Sequence, residues 1–347
     1  MSQTFWQKLK AEASAENRPI LVLAPMADVT DASFRRVIAK YGKPDVLWTE
    51  FVSADGLMLA TPEGKAKLMK NLIFTESERP IVAQFFTSKP EMMKGAAELA
   101  VKLGFDGIDI NMGCPDKSIE KQGAGAASMK KPALARKVIR AAKEGAGNIP
   151  VSVKTRLGFN KNEIETWLPE LLAERPAVIT VHGRTRKEMS KVAAHWDQIK
   201  RAVEIRDEVQ KDLSESERTL IFGNGDVVDV ADAFAKAKAT GVDGVMLGRA
   251  IFGKPWLFAD LQNSKNGSVE NNATVDVKTK LTVLVEHTKL FEELLGGTKS
   301  FALMKKHYKA YVTGWDGAKE LRMELMEAEN ANKVGEIVSK YLLDTSI

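Results

Sequence analysis

Between residues 20 and 258, short apolar runs alternate with longer amphipathic stretches. The runs are 20–24, 45–50, 80–85, 107–110, 151–155, 177–182, 219–223 and 243–248, and each is rich in Val and Ile at consecutive positions. Consecutive rather than alternate apolar positions mark strands covered on both faces, hence a parallel sheet. The stretches between carry helical periodicity, as in 90–103, 132–144, 196–209 and 229–240. Pro90 and Pro132 fall where a first helical turn begins, and Gly104 and Gly241 just past a last turn. Eight strands in this rhythm over about 240 residues predict a (β/α)8 TIM barrel, with a doubly wound open sheet as the competing arrangement. A further apolar run, 71–74, is expected to form a small added strand outside the barrel.

The pattern changes after Asn263. Residues 263–275 are rich in Asn, Ser and Gly and read as a linker. From 276 on only helical periodicity remains, over about 277–295, 299–313 and 316–343. The division is therefore a barrel over 1–262, the linker 263–275, and a small all-helical C-terminal domain over 276–347. That last segment holds 11 Lys and Arg against 11 Asp and Glu, unevenly spread: 299–309 has four lysines and no acid.

Composition narrows the possibilities. With 347 residues, 44% hydrophobic and 28% charged, the chain is an ordinary globular one, and its net charge of +5 is a weak pointer to a polyanionic partner. One cysteine, Cys114, allows neither an intrachain disulfide nor a Cys-cluster metal site, and four histidines suggest no metal centre. No apolar run reaches the roughly 20 residues of a membrane span, and residues 1–18 lack the apolar core of a signal peptide, so a cytoplasmic protein is expected.

Chemistry in such a barrel gathers at the carboxyl ends of the strands. The residues there are Pro25 and Met26 after the first run and Gln84 near the end of the third. Asn111 to Pro115 follow the fourth, and Lys154 to Arg156 end the fifth. His182 to Thr185 follow the sixth, Gly223 to Asp226 the seventh, and Gly248 and Arg249 the eighth. Polar groups at nearly every exit point to a site. Gly223, Gly225 and Gly248 would let backbone amides approach an anion, with Arg249 adding a cation, unless these glycines merely make tight turns. Lys154, closing an apolar strand, needs an anionic or electron-rich partner unless it reaches solvent. Cys114, in a turn between Gly113 and Pro115, presents a thiol protonated at neutral pH unless it is simply a small buried hydrophobe.

Together, Ala24-Pro25-Met26, Asn111 to Pro115, Val153 to Arg156, Val181 to Thr185, Gly223 to Asp226, Gly248 to Ala250 and Pro255-Trp256 resemble the tRNA-dihydrouridine synthases. The resemblance implies FMN at the barrel mouth, held by Pro25, Met26, Gln84, Lys154, His182, Asn224, Asp226, Gly248 and Arg249, and reduced by NADPH. It implies hydride transfer from flavin N5 to C6 of a tRNA uridine, with Cys114 protonating C5. Asn111, Arg156 and Arg184 would contact the base, and the tail would bind RNA. There Lys305 and Lys306 would meet phosphate, with His307, Tyr308 and Tyr311 as stacking aromatics. Neither a metal nor a membrane is implied, and a monomer is expected. Residues 116–131, with Lys117, Lys121, Lys130 and Lys131, suit a mobile substrate loop. Met189, Ser190 and Ala193 to Trp196 depart from the family's usual residues. Two other readings remain open: an FMN barrel acting on a free small ene or dihydropyrimidine, and a non-catalytic RNA-binding protein.

Overall fold

A computed structural model describes residues 4–262 and 275–345; most of the expected linker, 263–274, lies outside the described residues. Among these, nine strands form one parallel sheet: β1 (Ile20–Leu23), β2 (Leu47–Trp48), β3 (Val52–Ser53), β4 (Ile81–Phe86), β5 (Gly107–Met112), β6 (Val151–Arg156), β7 (Val178–His182), β8 (Leu220–Asn224) and β9 (Gly244–Leu247). The order is β1-β9-β8-β7-β6-β5-β4-β2, and a parallel bridge between Val22 and Val46 brings β2 back to β1. All eight expected runs are therefore barrel strands, and the arrangement is the TIM barrel rather than the open sheet.

The added strand is not where the pattern placed it. Lys70–Leu72 is a single 3-10 turn, and the carbonyl of Ile73 instead accepts from Nη2 of the buried Arg35. The extra strand is β3, which pairs with the far end of β4.

Strand side chains alternate between two cores. Val22, Val46, Trp48, Val82, Val178, Phe222 and Met246 fill the lumen, and Trp6 plugs its lower end from the helix Phe5–Ala15. The opposite strand faces pack on the surrounding helices. Higher in the lumen the inward positions turn polar: Gln84, Asp109 and Ser152, then Asn111 and Lys154, then Arg156, His182 and Asn224. Register ties them into a continuous arc, with Asn111 beside Lys154, Arg156 beside His182, and His182 beside Asn224.

The helical segment is divided differently from its sequence pattern. Val277–Leu295 forms as expected, but 299–313 contains a 3-10 turn, Phe301–Met304, followed by the short helix Lys305–Tyr311. The long periodic stretch 316–343 is two helices, Ala318–Glu327 and Ala331–Asp344, the second capped by Asn330. Their apolar faces merge with the outer core of the barrel in one cluster that includes Phe34, Phe258, Leu284, Tyr308 and Leu325.

Candidate functional site at the barrel mouth

A cleft of about 860 Å³ opens at the carboxyl ends of the strands, within the range of small-molecule and cofactor sites. Its floor is apolar, from Ala24, Met26 and Met246. Its charged lining is Lys154, Arg156, Arg184 and Arg249 against one carboxylate, Asp226. Pro25, His182, Asn224 and Gly248 complete the convergence expected from the strand exits.

Lys154 carries the sharpest electrostatics. Its ammonium donates to Oδ1 of Asn224 at 3.1 Å, while Nδ2 of Asn224 donates to the carbonyl of Met246 at 2.8 Å. Burial, with the nearby Arg156 charge, pulls Lys154 down to about 8. Beneath it lies Asp109, pushed up to about 6 by complete burial and hydrogen-bonded by Ser152 and Gln84. His182 is held neutral by burial and by the cations around it. Its Nε2 lies 3.2 Å from Nη1 of Arg184, which makes Nε2 the acceptor and assigns the proton to Nδ1.

The two arginines differ. Arg184 is bonded at each of its nitrogens: Nε to the carbonyl of Val192 at 2.7 Å, Nη1 to His182, and Nη2 to Asp226. Asp226 also accepts from Arg249, at 2.8 Å. Arg156 donates from Nε to Gly113 at 2.7 Å and from Nη1 to Thr185 and Met189 at 3.2 and 3.3 Å. Its Nη2 has no hydrogen-bond partner among the described residues, and Arg156 lines the cleft.

Gln84 and Asn111 sit below the lining. Gln84 is fully buried, its amide donating to Asp109 and accepting from Asn111 at 3.0 Å. Oδ1 of Asn111 accepts from the amides of Gly113 and Cys114 at 3.1 and 2.9 Å, so Asn111 builds the turn that carries the thiol. Cys114 packs beside Phe86, Ile119 and Ala124, next to Pro115 in the cleft wall. Burial pushes the thiol up, keeping it protonated at neutral pH.

The glycines divide between two tasks. A Cβ on Gly223 would fall 2.5 Å from the Trp196 ring, so this glycine serves close packing rather than anion approach. Gly225 (φ +124) and Asp226 (φ +49) make the turn that lifts Asp226 to the rim. At Gly248 the nearest atom to such a Cβ is 3.7 Å away, leaving the backbone open to the cleft.

The family Dihydrouridine synthase (Dus) matches residues 22–345. The chain is 38% identical over 343 residues to the probable tRNA-dihydrouridine synthase 2 of Bacillus subtilis (strain 168), covering 98% of this chain and 97% of that protein. It is 36% identical to the probable tRNA-dihydrouridine synthase of Staphylococcus aureus (strain COL), covering 98% and 96%. The chain belongs to the dihydrouridine synthase family. Membership makes it an oxidoreductase.

Solved structures agree on the fold of this dihydrouridine synthase. A 2-naphthoyl-CoA reductase in complex with 2-naphthoyl-CoA superposes with a TM-score of 0.53 at 10% identity, over 71% of this chain and 50% of that one. Histamine dehydrogenase from Rhizobium sp. 4-9 gives 0.50 at 10% identity, over 78% and 49%.

The tail corrects one expectation. His307, Tyr308 and Tyr311 are buried at 1%, 0% and 1% exposure. His307 packs on Phe34 and His287, so these rings cannot stack on bases. The helix Lys305–Tyr311 turns its aromatic stripe to the core and leaves Lys305 and Lys306 half-buried and Lys309 exposed. Lys306 is pulled down by burial, with Asp28, Asp31 and Glu50 opposing.

Sequence reading missed Asp109 and the connection through Lys299. The first was visible as an acid at an inward position of an otherwise apolar strand. The second was not, because Lys299 reaches Glu50, 249 residues away, at 2.8 Å, and Asp28 at 3.2 Å. No helix among the described residues is long and apolar enough to cross a membrane.

Proposed function

We propose that this dihydrouridine synthase reduces the C5–C6 double bond of uridine in tRNA, using FMN in the mouth cleft and NADPH as reductant. The observation that carries the reading is a cleft with four cations and one carboxylate, with a thiol that burial keeps protonated one residue from Pro115 in its wall.

The residues present fit the cofactor. Lys154 is a half-buried cation whose one hydrogen bond among the described residues goes to a neutral amide, and such a charge favours an electron-rich edge beside it. Arg249 and the open backbone at Gly248 suit a phosphate, and the last two loops are where this fold places one. Pro25, Met26 and Met246 offer an apolar bed for a planar ring. When bound, FMN supplies the hydride.

The remaining chemistry belongs to the protein. Addition at C6 leaves enolate-like charge at C5 and O4, so an acid at C5 lowers the barrier. Cys114 holds that proton. Asn111, by fixing the amides of residues 113 and 114, aims it. Arg156, whose Nη2 has no partner among the described residues, would donate to the base, whereas Arg184, already bonded at each of its nitrogens, orients His182 and Asp226. The uridine must leave its stack to enter, at a cost of a few kcal/mol in a paired region and less in a loop. The helical region contributes Lys305 and Lys306 as phosphate contacts. The barrel over 1–262 is the catalytic unit and 276–347 the RNA-binding one, in a chain that acts as a monomer.

Cys114→Ala tests the central assignment. FMN content and NADPH-driven flavin reduction are expected to stay at wild-type levels, while single-turnover reduction of tRNA falls about 10²-fold or more. Unchanged single-turnover reduction would remove Cys114 as the acid. Equal turnover of free uridine and tRNA would favour a small-molecule oxidoreductase.

A further inference from the structure

The loops after β5, β6 and β7 are fastened into one rigid body. Arg156 joins all three through the carbonyls of Gly113, Thr185 and Met189. The second and third loops run side by side, with Arg186 N donating to Gly158 at 2.9 Å and Lys187 N to Phe159 at 2.9 Å. Arg186 also grips Glu120 of the first loop, Nη2 to Oε2 at 2.6 Å. Lys130 lies 3.8 Å over the ring of Phe159. The expected mobile lysine loop is thus tied to its neighbours.

On this body Lys161, Lys187 and Lys191 are exposed around a hollow of about 560 Å³. None has a carboxylate partner among the described residues, unlike Arg136, Arg140 and Arg201 elsewhere on the surface. The two acids that line the hollow are occupied. Glu188 accepts from the amide of Thr185 at 2.7 Å and pairs with His195 at 3.2 Å, and Asp197 accepts from Gln198 at 2.8 Å. Lys187 and Lys191 flank Met189 and Ser190, which form part of the main cleft wall. Unpaired cations grouped at the rim can neutralise a polyanion without first breaking an ion pair.

We propose that Lys161, Lys187 and Lys191 form a phosphate-docking ledge for the RNA strand that delivers the uridine, on the side of the mouth away from the helical region. The RNA backbone then spans the mouth between this ledge and Lys305 and Lys306. The inference rests on the tRNA reading above and adds a second, barrel-borne contact surface.

The test is binding of fluorescently labelled tRNA across a salt series, for wild type, the triple Lys→Gln variant at 161, 187 and 191, and the triple Lys→Arg variant. Because these side chains have no partners, the Gln variant is expected to keep its thermal midpoint, FMN content and flavin reduction by NADPH. Its affinity for tRNA is expected to fall about tenfold or more near physiological salt. The slope of log K against log salt should flatten by about two to three units. The Arg variant should restore both, and turnover at saturating tRNA should survive. An unchanged slope and affinity in the Gln variant would overturn the ledge while leaving the reductase reading intact. Failure of the wild type to bind or reduce any tRNA would instead strike that reading.

Discussion

Cys114 and Lys154 show how burial sets the state of a reactive group. Desolvation outweighs the pull of Arg156 and Lys154 on the thiol and keeps its proton on. The ammonium, brought to about 8, is the cleft-lining group that titrates above neutrality. A ligand that needs the charged form should bind with constant affinity below about pH 8 and progressively more weakly above it, by up to about tenfold per unit. FMN titrations from pH 6.5 to 9.5 check this, and Lys154→Met should bind weakly with a flat profile; a steep profile in that variant would assign the titration elsewhere. Lys154 was legible in the sequence because a charge closing an apolar strand needs a reason. Gly223 was not, because its neighbour Trp196 comes from another element. Gly223→Ala would drive a methyl into that ring, with an expected cost of about 1–3 kcal/mol in chemical denaturation.

At the scale of elements, the strands were readable because burial on both faces leaves an unbroken apolar run, whereas the division of 299–313 into the turn Phe301–Met304 and the seven-residue helix Lys305–Tyr311 was not. The spacing of His307, Tyr308 and Tyr311 marks one helical face, and a face of rings can meet either bases or a core. The structure gives it to the core. The break at 328–330 was hidden because Ala318–Glu327 and Ala331–Asp344 carry similar periodicity, with Asn330 capping the second. Loop cohesion depends on the Arg156 fork, whose geometry a lysine cannot reproduce. Arg156→Lys is expected to raise KM for tRNA and lower kcat while FMN affinity changes little. Parallel loss of FMN would show that the arginine acts on the cofactor pocket itself.

Across the whole molecule, the helical segment is welded to the barrel rather than appended to it. Lys299 secures the loop after β1, which carries Pro25 and Met26, through the buried Glu50 and Asp28. Lys299→Met leaves that carboxylate buried without its cation, and a stability loss of about 3 kcal/mol is expected by urea titration, with weaker FMN retention. The same junction buries His287 and His307 against each other. His287 is held down at about 3 by burial, and His307 is also depressed, with Asp31 favouring and Lys306 opposing its protonation. Folded values below the unfolded one mean that the unfolded chain takes up more protons. For His287 the stabilisation is therefore complete above about pH 6.5 and falls as pH drops toward 3, by up to about 1.4 kcal/mol per unit, and His307 contributes in the same direction. Urea midpoints at pH 7.5, 6 and 5 should show this, and His287→Phe should flatten the dependence; an equal slope in the variant would place the acid sensitivity elsewhere.

All of these effects serve one claim, that a tRNA uridine is reduced at the barrel mouth. The most direct measurement is mass spectrometry of unmodified tRNA incubated with the purified protein, FMN and NADPH. The account predicts that specific uridines gain two hydrogens and that the Cys114→Ala protein leaves them unchanged. NADPH consumption with no uridine in the tRNA altered would contradict it.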